Sequence, residues 1–453
     1  MPEPERRLIE KLNTTCKRLD DPSLTTALFQ GLVTSADYVY HLNKVSSGKY
    51  ISHADKENPV EVEIEDELMH LLVSGKEAKR YQQPQTDTYL LFPYKLDAEP
   101  VRLYSEVEFE QYFPKGWAYL LKNEKALKGR ENGKMNKVGW WGYVYPKSLD
   151  RHEQPKLLIP RLVKNLFCAV DKNGDFYPDN VDVGGVSVTD ASALFYIAGV
   201  VNAPVANFVW RRISKPFQND YRAANKQFIA PLPIPNADEE QKKQVAELAE
   251  KLQELHTAYR DELQKLAKRL SAAQMTDDTK TPQWIWATLP DDKQLKASDT
   301  AKATGLKGKA LTDWAKAQYQ AALAQKLEKL TVNLNPSLKL TVRYEDGELR
   351  LLANGTPAFD SLFEDDAELI AVQWKYVIRS TNITPSVTAE KLLGELLKLK
   401  TTDNDSLRKQ IIALDKKLDE LQVGIEAKER EMNGVVYGLY GLTWEEVLQV
   451  ERG

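Results

Sequence analysis

Residues 211–226, RRISKPFQNDYRAANK, are rich in cationic and amide side chains. Arg and Lys neutralise phosphates and read guanine in the major groove of duplex DNA, whereas the carboxamides of Asn and Gln suit adenine. The stretch supplies both kinds, namely the cations Arg211, Arg212, Lys215, Arg222 and Lys226 and the amides Gln218, Asn219 and Asn225. These residue types favour contact with DNA, and the alternative of a solvated surface loop stays open.

Basic side chains elsewhere would add to such contacts. We predict Lys44 on a short loop, and Lys79 with Arg80 in a second basic group. Arg161 and Lys164 would contact phosphates. These positions precede residues 211–226 in the chain, so the fold would have to bring them together.

Motifs for catalysis are missing. A methyltransferase that attacks an amino nitrogen needs a glycine-rich nucleotide loop and an Asn/Asp-Pro-Pro-aromatic motif, and neither occurs. The glycines of GLKGK (305–309) lack the spacing and the Ser/Thr of a phosphate-binding loop. We therefore predict no catalytic residue in this chain and leave open whether it is part of an enzyme.

The scarce cysteines and histidines limit the kinds of site further. Cys16 and Cys168 are the two cysteines, which excludes a disulfide framework and a four-cysteine zinc site. Five scattered histidines make a histidine-built metal site improbable, so we predict no metal site.

Residues 1–12, MPEPERRLIEKL, show no secretory signal, and a cytoplasmic location is predicted. Residues 191–210 carry no charge over a length that spans a bilayer. Asn202, Pro204 and Asn207 would interrupt a membrane helix. We therefore interpret this segment as a buried helix, a turn at the proline and a second buried segment.

Charge is distributed unevenly along the chain, whose net charge is −4. Residues 1–110 carry −7, residues 111–236 carry +8, and residues 237–453 carry −5. A positive middle between acidic flanks indicates a local anionic partner. Lysines that merely solvate a surface are the alternative.

The hydrophobic pattern predicts the elements that position these side chains. A short helix is predicted over residues 5–19, followed by strand-like runs to about residue 236. Two long helices with apolar seams come next and are expected to pair antiparallel. Their seams are Val245, Leu248, Leu252, Leu255, Tyr259, Leu263, Leu266 and Leu270 in the first, and Leu407, Ile411, Leu414, Leu418, Leu421 and Ile425 in the second.

An inserted segment lies between the two long helices. It contains Trp284 and Trp286 and a hairpin predicted to turn at Asp346-Gly347. Near the end of the chain, Thr443 and Glu446 have the spacing of a capping box for a final short helix.

Seven short motifs occur in the order typical of one known family. They are LFQGLVTSAD (28–37), YLLFPY (89–94), FPKGWAYLLKNEKALKGR (113–130), WWGYVYP (140–146), PKLLIPR (155–161), KQFIAPLPIP (226–235) and VVYGLYGLTWEEVLQVE (435–451). The first contains a QG-x-x-T-x-x-D pattern. Together these motifs resemble the TaqI-like C-terminal specificity domain of adenine-specific DNA methyltransferases and type IIG restriction enzymes, over about residues 23–237 and 405–453.

The resemblance implies a target-recognition role. Family members carry a catalytic domain ahead of this region, whereas about 22 residues precede it here. The chain is then either a separate specificity subunit or a piece of a larger enzyme in a restriction-modification or phage-defence system. The implied partners are duplex DNA and a methyltransferase subunit, with or without a nuclease or translocase. S-adenosylmethionine is expected on that catalytic partner and no cofactor in this chain. A protein-interaction scaffold built on the long helices, with no role in DNA binding, is the alternative.

The predicted fold class is α+β, a β-rich recognition domain joined to coiled-coil-like helices. The predicted segments are an N-terminal helix (1–22), the recognition domain (23–237), a long helix (238–282), an inserted α/β element (283–364) and a C-terminal helical region (365–453) with its long helix at 404–432.

Overall fold

The computed structural model describes residues 2–179, 182–273, 292–333, 340–345, 348–362, 367–380, 391, 395–396 and 402–452. The helices are α1 (Glu3–Thr15), α2 (Asp37–Tyr40), α3 (Glu106–Tyr112), α4 (Pro114–Lys122), α5 (Glu124–Lys128), α6 (Arg130–Gly133), α7 (Leu194–Asn202), α8 (Pro204–Ile213), α9 (Lys226–Ile229), α10 (Glu239–Ala273), α11 (Asp292–Ala297), α12 (Asp299–Thr304), α13 (Gly308–Asn333), α14 (Ala367–Ser380), α15 (Asp405–Leu439) and α16 (Trp444–Arg452).

The strands are β1 (Lys17–Arg18), β2 (Thr25–Gln30), β3 (His41–Ser46), β4 (Lys49–Ser52), β5 (Val60–Glu63), β6 (Met69–Val73), β7 (Thr88–Leu91), β8 (Tyr94–Lys95), β9 (Arg102–Leu103), β10 (Lys156–Pro160), β11 (Leu162–Val163), β12 (Ala169–Asp171), β13 (Phe176–Pro178), β14 (Val183–Val188), β15 (Arg222–Ala223), β16 (Pro233–Ile234), β17 (Leu340–Glu345), β18 (Glu348–Ala353) and β19 (Thr356–Leu362). The predicted α+β class is confirmed.

The chain divides into two compact units, residues 1–257 with 424–453 and residues 258–423. The first unit contains a six-stranded sheet of order β13–β6–β7–β3–β4–β5, in which β13 and β6 pair parallel and the other neighbours pair antiparallel. It also contains an antiparallel four-stranded sheet of order β12–β10–β14–β2. In the second unit, β17, β18 and β19 form an antiparallel sheet. The predicted segment boundaries stay predictions.

The uncharged segment 191–210 forms two helices in the core of the first unit. Every residue of α7 is buried, and α8 begins at Pro204. The buried Asn202 carboxamide accepts from the Cys168 amide at 2.8 Å and donates to the Cys168 carbonyl at 3.1 Å, so its polar atoms are satisfied in the core. No single described helix is long and apolar enough to cross a membrane. The two helices of this pair, bent by 65° relative to each other, together have the length and apolar composition of a membrane span.

The antiparallel pairing of the long helices is confirmed within each unit. In the first unit, a hydrogen bond of 3.2 Å joins His256 of α10 to Glu429 of α15. In the second, Lys417 of α15 donates to Glu262 of α10 at 2.6 Å, so later residues of one helix meet earlier residues of the other. Their seams are buried as predicted, Val245 and Leu252 in the first core and Leu266, Leu270, Leu407, Ile411 and Leu418 in the second.

Two predictions made from short sequence patterns, a hairpin and a capping box, are confirmed. Glu345 of β17 pairs with Glu348 of β18, which confirms the hairpin, although Asp346 and Gly347 lie outside the described residues, as do Trp284 and Trp286. The capping box is present, because the Thr443 amide donates to the Glu446 carboxylate at 2.8 Å and the Glu446 amide donates to the Thr443 hydroxyl at 3.3 Å.

Two local predictions are wrong in part. The first helix ends at Thr15 instead of residue 19, because Lys17 and Arg18 pair with Ile234 and Pro233 as strands. Lys44 lies on strand β3 and not on a loop, because β3 is held between β4 and β7 in the six-stranded sheet.

The QG-x-x-T-x-x-D pattern has a structural role. A Cβ atom on Gly31 would lie 2.2 Å from the carbonyl oxygen of Pro178, and the Leu32 amide donates to that oxygen at 3.0 Å. The Thr34 hydroxyl donates to the Asp37 carboxylate at 2.5 Å, at the start of α2. The pattern therefore fixes a close approach of two main-chain segments and the helix that follows.

Two histidines are held in an aromatic cluster of the first unit. His152 is fully buried, stacks on Tyr177 at 5.2 Å between ring centroids, and has no hydrogen-bond partner on either ring nitrogen. His70 lies 4.4 Å from the same tyrosine ring. Burial lowers the pKa of His152 to about 3 and that of His70 to about 4, because the charged imidazolium loses its hydration.

The first unit is therefore expected to lose stability as the pH falls from about 7 to about 5. In the unfolded chain each of these two histidines takes up a proton as the pH falls below about 6.5, whereas in the folded protein it stays neutral at about pH 5. Each histidine therefore lowers the unfolding free energy by about 2 kcal/mol at about pH 5. Denaturant unfolding at both pH values would measure the loss. The variant His152→Phe should lose about 2 kcal/mol less than the parent, and the control His53→Phe should lose as much as the parent. Equal losses in the parent and in His152→Phe would contradict this assignment.

Candidate nucleic-acid interface

Residues 215–223 form a small hairpin after helix α8. The Ala223 amide donates to the Lys215 carbonyl at 3.0 Å, and the Phe217 amide donates to the Tyr221 carbonyl at 2.7 Å. Gln218–Asp220 make the tip, where Asn219 and Asp220 have φ of 58° and 61°. Asn and Asp tolerate this left-handed conformation better than most residues, so the tip sequence suits its backbone. We call residues 215–223 the recognition hairpin.

The recognition hairpin is anchored to the core of the first unit. Strand β15 pairs antiparallel with β11, and the Ala224 amide donates to the Arg161 carbonyl at 2.8 Å. The buried Trp210 indole N–H donates to the Ala223 carbonyl at 3.0 Å. These contacts bring Arg161 and Lys164 next to the hairpin although they lie about 60 residues earlier in the chain.

Exposed cationic, amide and aromatic side chains lie together on the hairpin. Lys215, Gln218 and Asn219 are exposed, and Phe217 is 49% exposed. The Lys215 Nζ atom lies 5.4 Å from the centre of the Phe217 ring, and Lys164 Nζ lies 5.5 Å from that of Tyr221. Side chains of these types suit phosphate contact, base-edge hydrogen bonding and base stacking respectively.

Two arginines hold the hairpin in shape. Arg211 donates to the Lys164 carbonyl at 2.9 Å and to both carboxylate oxygens of Asp220 at 3.0 Å. Arg222 donates to the Arg211 carbonyl at 2.7 Å and to the Ser214 carbonyl at 3.3 Å. Because these guanidinium groups already bind the protein, they position the hairpin, and Asp220 neutralises part of their charge.

Three predicted site residues lie elsewhere, in internal ion pairs. Arg212 donates to Glu5 at 2.8 Å, and its guanidinium lies 3.5 Å from the centre of the Phe208 ring. Lys44 pairs with Asp66 at 3.0 Å. Arg80 binds the Glu429 carboxylate and the Asn202 carbonyl. DNA contact by Arg212, Lys44 and Arg80 stays a prediction, although their charges are already paired within the protein.

Three further predicted residues differ in exposure. Lys226 is exposed at the start of α9, and Lys79 is exposed in the turn after β6. Asn225 is half-buried, and its side-chain oxygen has no hydrogen-bond partner. Within the described part of the chain, no cluster of three or more His, Cys, Asp or Glu side chains could hold a metal ion.

The aromatic members of this surface were not predicted from the sequence. Phe217 and Tyr221 flank the tip residues, and the signal was present in the motif KPFQNDYR, where aromatic residues alternate with cations and amides. A long-range pairing, β11 with β15, was also needed to assemble the site, and no local pattern indicates it.

Comparison with known proteins supplies one informative relative. No family model matches the chain. Over 176 residues, or 38% of its length, the chain is 25% identical to the type II methyltransferase M.BstVI of Geobacillus stearothermophilus. Part of this chain is therefore similar to a methyltransferase. The matched region spans 27% of that relative, little more than a quarter of its length.

Proposed function

We propose that this protein is the DNA sequence-recognition component of an adenine-specific methyltransferase system. The observation that carries the proposal is the recognition hairpin, which presents Lys215, Gln218 and Asn219 on a rigid support. Residues 211–226 contain five cations, Arg211, Arg212, Lys215, Arg222 and Lys226, and one carboxylate, Asp220. Arg161 and Lys164 lie beside the hairpin. The similarity to a type II methyltransferase supports the same system.

In this proposal, lysines hold the DNA backbone and the tip amides read base edges. Lys164, Lys215 and Lys226 neutralise phosphates, a contribution that does not depend on sequence. Gln218 and Asn219 project carboxamides, which pair well with the major-groove edge of adenine. The methyl transfer itself belongs to a catalytic partner or domain that binds S-adenosylmethionine and takes the target base out of the stack.

The triple variant Lys164→Ala/Lys215→Ala/Lys226→Ala is expected to weaken duplex DNA binding to all sequences alike. Each lost phosphate contact reduces the slope of log K against log salt by about 0.9, so the slope should fall by about 2.7. Titration of labelled duplexes at several salt concentrations measures both effects. Alanine at Arg211 and Arg222 would be a poorer test, because these residues also shape the hairpin.

A matched control removes three lysines from the helices of the same unit. Lys243, Lys251 and Lys428 each lie within 4 Å of a carboxylate and are away from the hairpin in sequence. Their triple alanine variant has the same net charge as the hairpin variant and should keep most of the salt slope. If both variants bind DNA as the parent protein does, the hairpin is not the DNA contact. A parent protein whose binding shows little salt dependence would favour the scaffold alternative.

A further inference from the structure

A groove of ≈ 540 Å³ lies between α10 and α15 in the second unit. Its lining residues are Glu262, Lys265, Lys268 and Arg269 from α10, and Gln410, Ala413, Leu414 and Lys417 from α15. The lining extends over seven residue steps of each helix, which corresponds to about 10 Å or two helical turns. We call this feature the cationic groove.

The cationic groove carries excess positive charge. Glu262 is 6% exposed and accepts from Lys265 at 3.0 Å and from Lys417 at 2.6 Å, so its single charge is shared by two lysines. Lys268 and Arg269 are exposed, and neither forms an ion pair with another described residue. The rim therefore has cations available for an acidic partner.

The second unit shows how a third helix packs beside this helix pair. Helix α14 buries Leu369 and Val372 against the same core, and its Lys375 donates to Asp415 at 2.9 Å and to Asp419 at 2.8 Å. That face of α15 is acidic and receives a basic helix. At 100° per residue, Ala413 and Lys417 lie on the opposite side of α15 from Asp415 and Asp419. The cationic groove therefore lies on the other side of α15 from the acidic face and carries the opposite charge.

We propose that the cationic groove binds an acidic amphipathic helix of a partner protein. Apolar side chains of that helix would cover Ala413 and Leu414, and its carboxylates would pair with Lys268 and Arg269. A nucleic acid backbone fits less well, because its phosphates gain nothing from the apolar floor. The inference goes beyond DNA recognition and does not rest on it.

Binding of labelled probes to the full chain tests this proposal. The probe is a synthetic amphipathic helical peptide of about 14 residues with a leucine face flanked by glutamates, long enough to fill the groove. Fluorescence anisotropy should show binding that weakens about tenfold or more in Lys268→Glu/Arg269→Glu. The same peptide with lysines in place of glutamates should not bind detectably.

The charge-matched control is Lys409→Glu/Lys416→Glu, which reverses two charges on α15 outside the groove lining. It should bind the acidic peptide within about twofold of the parent protein. The proposal is overturned if the acidic peptide fails to bind, or if both double variants weaken its binding equally. It is also overturned if a single-stranded oligonucleotide binds the parent protein more tightly than the peptide does and loses its binding in Lys268→Glu/Arg269→Glu. Duplex binding through the recognition hairpin should be the same in both double variants, which separates this test from that of the proposed function.

Discussion

Replacing Arg130 with methionine is expected to lower the unfolding free energy of the first unit by about 3–5 kcal/mol. The side chain is 5% exposed, and its guanidinium donates to four main-chain carbonyls, those of Leu127, Thr34, Trp140 and Gly142. Methionine keeps the apolar stem but leaves these buried carbonyls without their donor. An unsatisfied buried acceptor costs about 1–3 kcal/mol, and partial relaxation keeps the total below the simple sum.

Denaturant unfolding followed by tryptophan fluorescence would measure this loss, because Trp117, Trp140 and Trp141 lie in the same aromatic cluster. The control Lys125→Met makes the same kind of change at an exposed position five residues away and should leave the transition nearly unchanged. If Arg130→Met unfolds like the control, then the four hydrogen bonds add little to stability.

The second large effect is expected for Asp171→Ala, which should also cost about 3–5 kcal/mol. Asp171 and Lys156 form an ion pair of 2.5 Å with both side chains almost completely buried. The carboxylate also accepts from the main-chain amides of Gly174, Asp175 and Phe176, at 2.9–3.0 Å. Its removal leaves the buried Lys156 ammonium group without its ion-pair partner and a turn without its acceptor.

Lys172→Ala provides the comparison, because it removes the neighbouring lysine from an exposed ion pair with Glu250. Exposed pairs contribute about 0–1 kcal/mol, so this variant should unfold close to the parent. Thermal or denaturant unfolding of the two variants side by side tests the prediction. Comparable losses in both would contradict the importance of burial for the Lys156–Asp171 pair.

Much of the fold could be predicted because its signals are local. The apolar seams of α10 and α15 follow the helical repeat, and residues such as Leu266 and Ile411 are buried as that repeat indicates. The capping box at Thr443 and Glu446 depends on residues three apart. Pro204 marks the break between two buried helices. In each case, residues close together in sequence determine the structure.

The candidate site was less predictable because its geometry depends on distant partners. Arg212 and Lys215 look equivalent in sequence, yet Arg212 is paired with Glu5 about 200 residues away, whereas Lys215 is exposed on the hairpin. Arg80 likewise forms an ion pair with Glu429, near the other end of the chain. Spacing within a segment cannot show which cation has a counter-charge elsewhere in the fold.

Several motifs behind the family resemblance also have structural explanations in this protein. Gly31 permits a close main-chain approach, and Arg130 connects the segments around Thr34 and Trp140. Such residues preserve the scaffold, and their presence does not by itself indicate what the scaffold binds.

The closed limbs of the recognition hairpin make its tip an exchangeable module. The hydrogen bonds from Ala223 to Lys215 and from Phe217 to Tyr221 fasten the limbs to each other below the exposed residues 218–220. A replacement of Gln218 and Asn219 that keeps Asp220, the carboxylate to which Arg211 donates, therefore leaves the anchored base and the core unchanged. New binding preferences can be engineered, or arise during evolution, by grafting a few residues at this point while the rest of the protein retains its sequence.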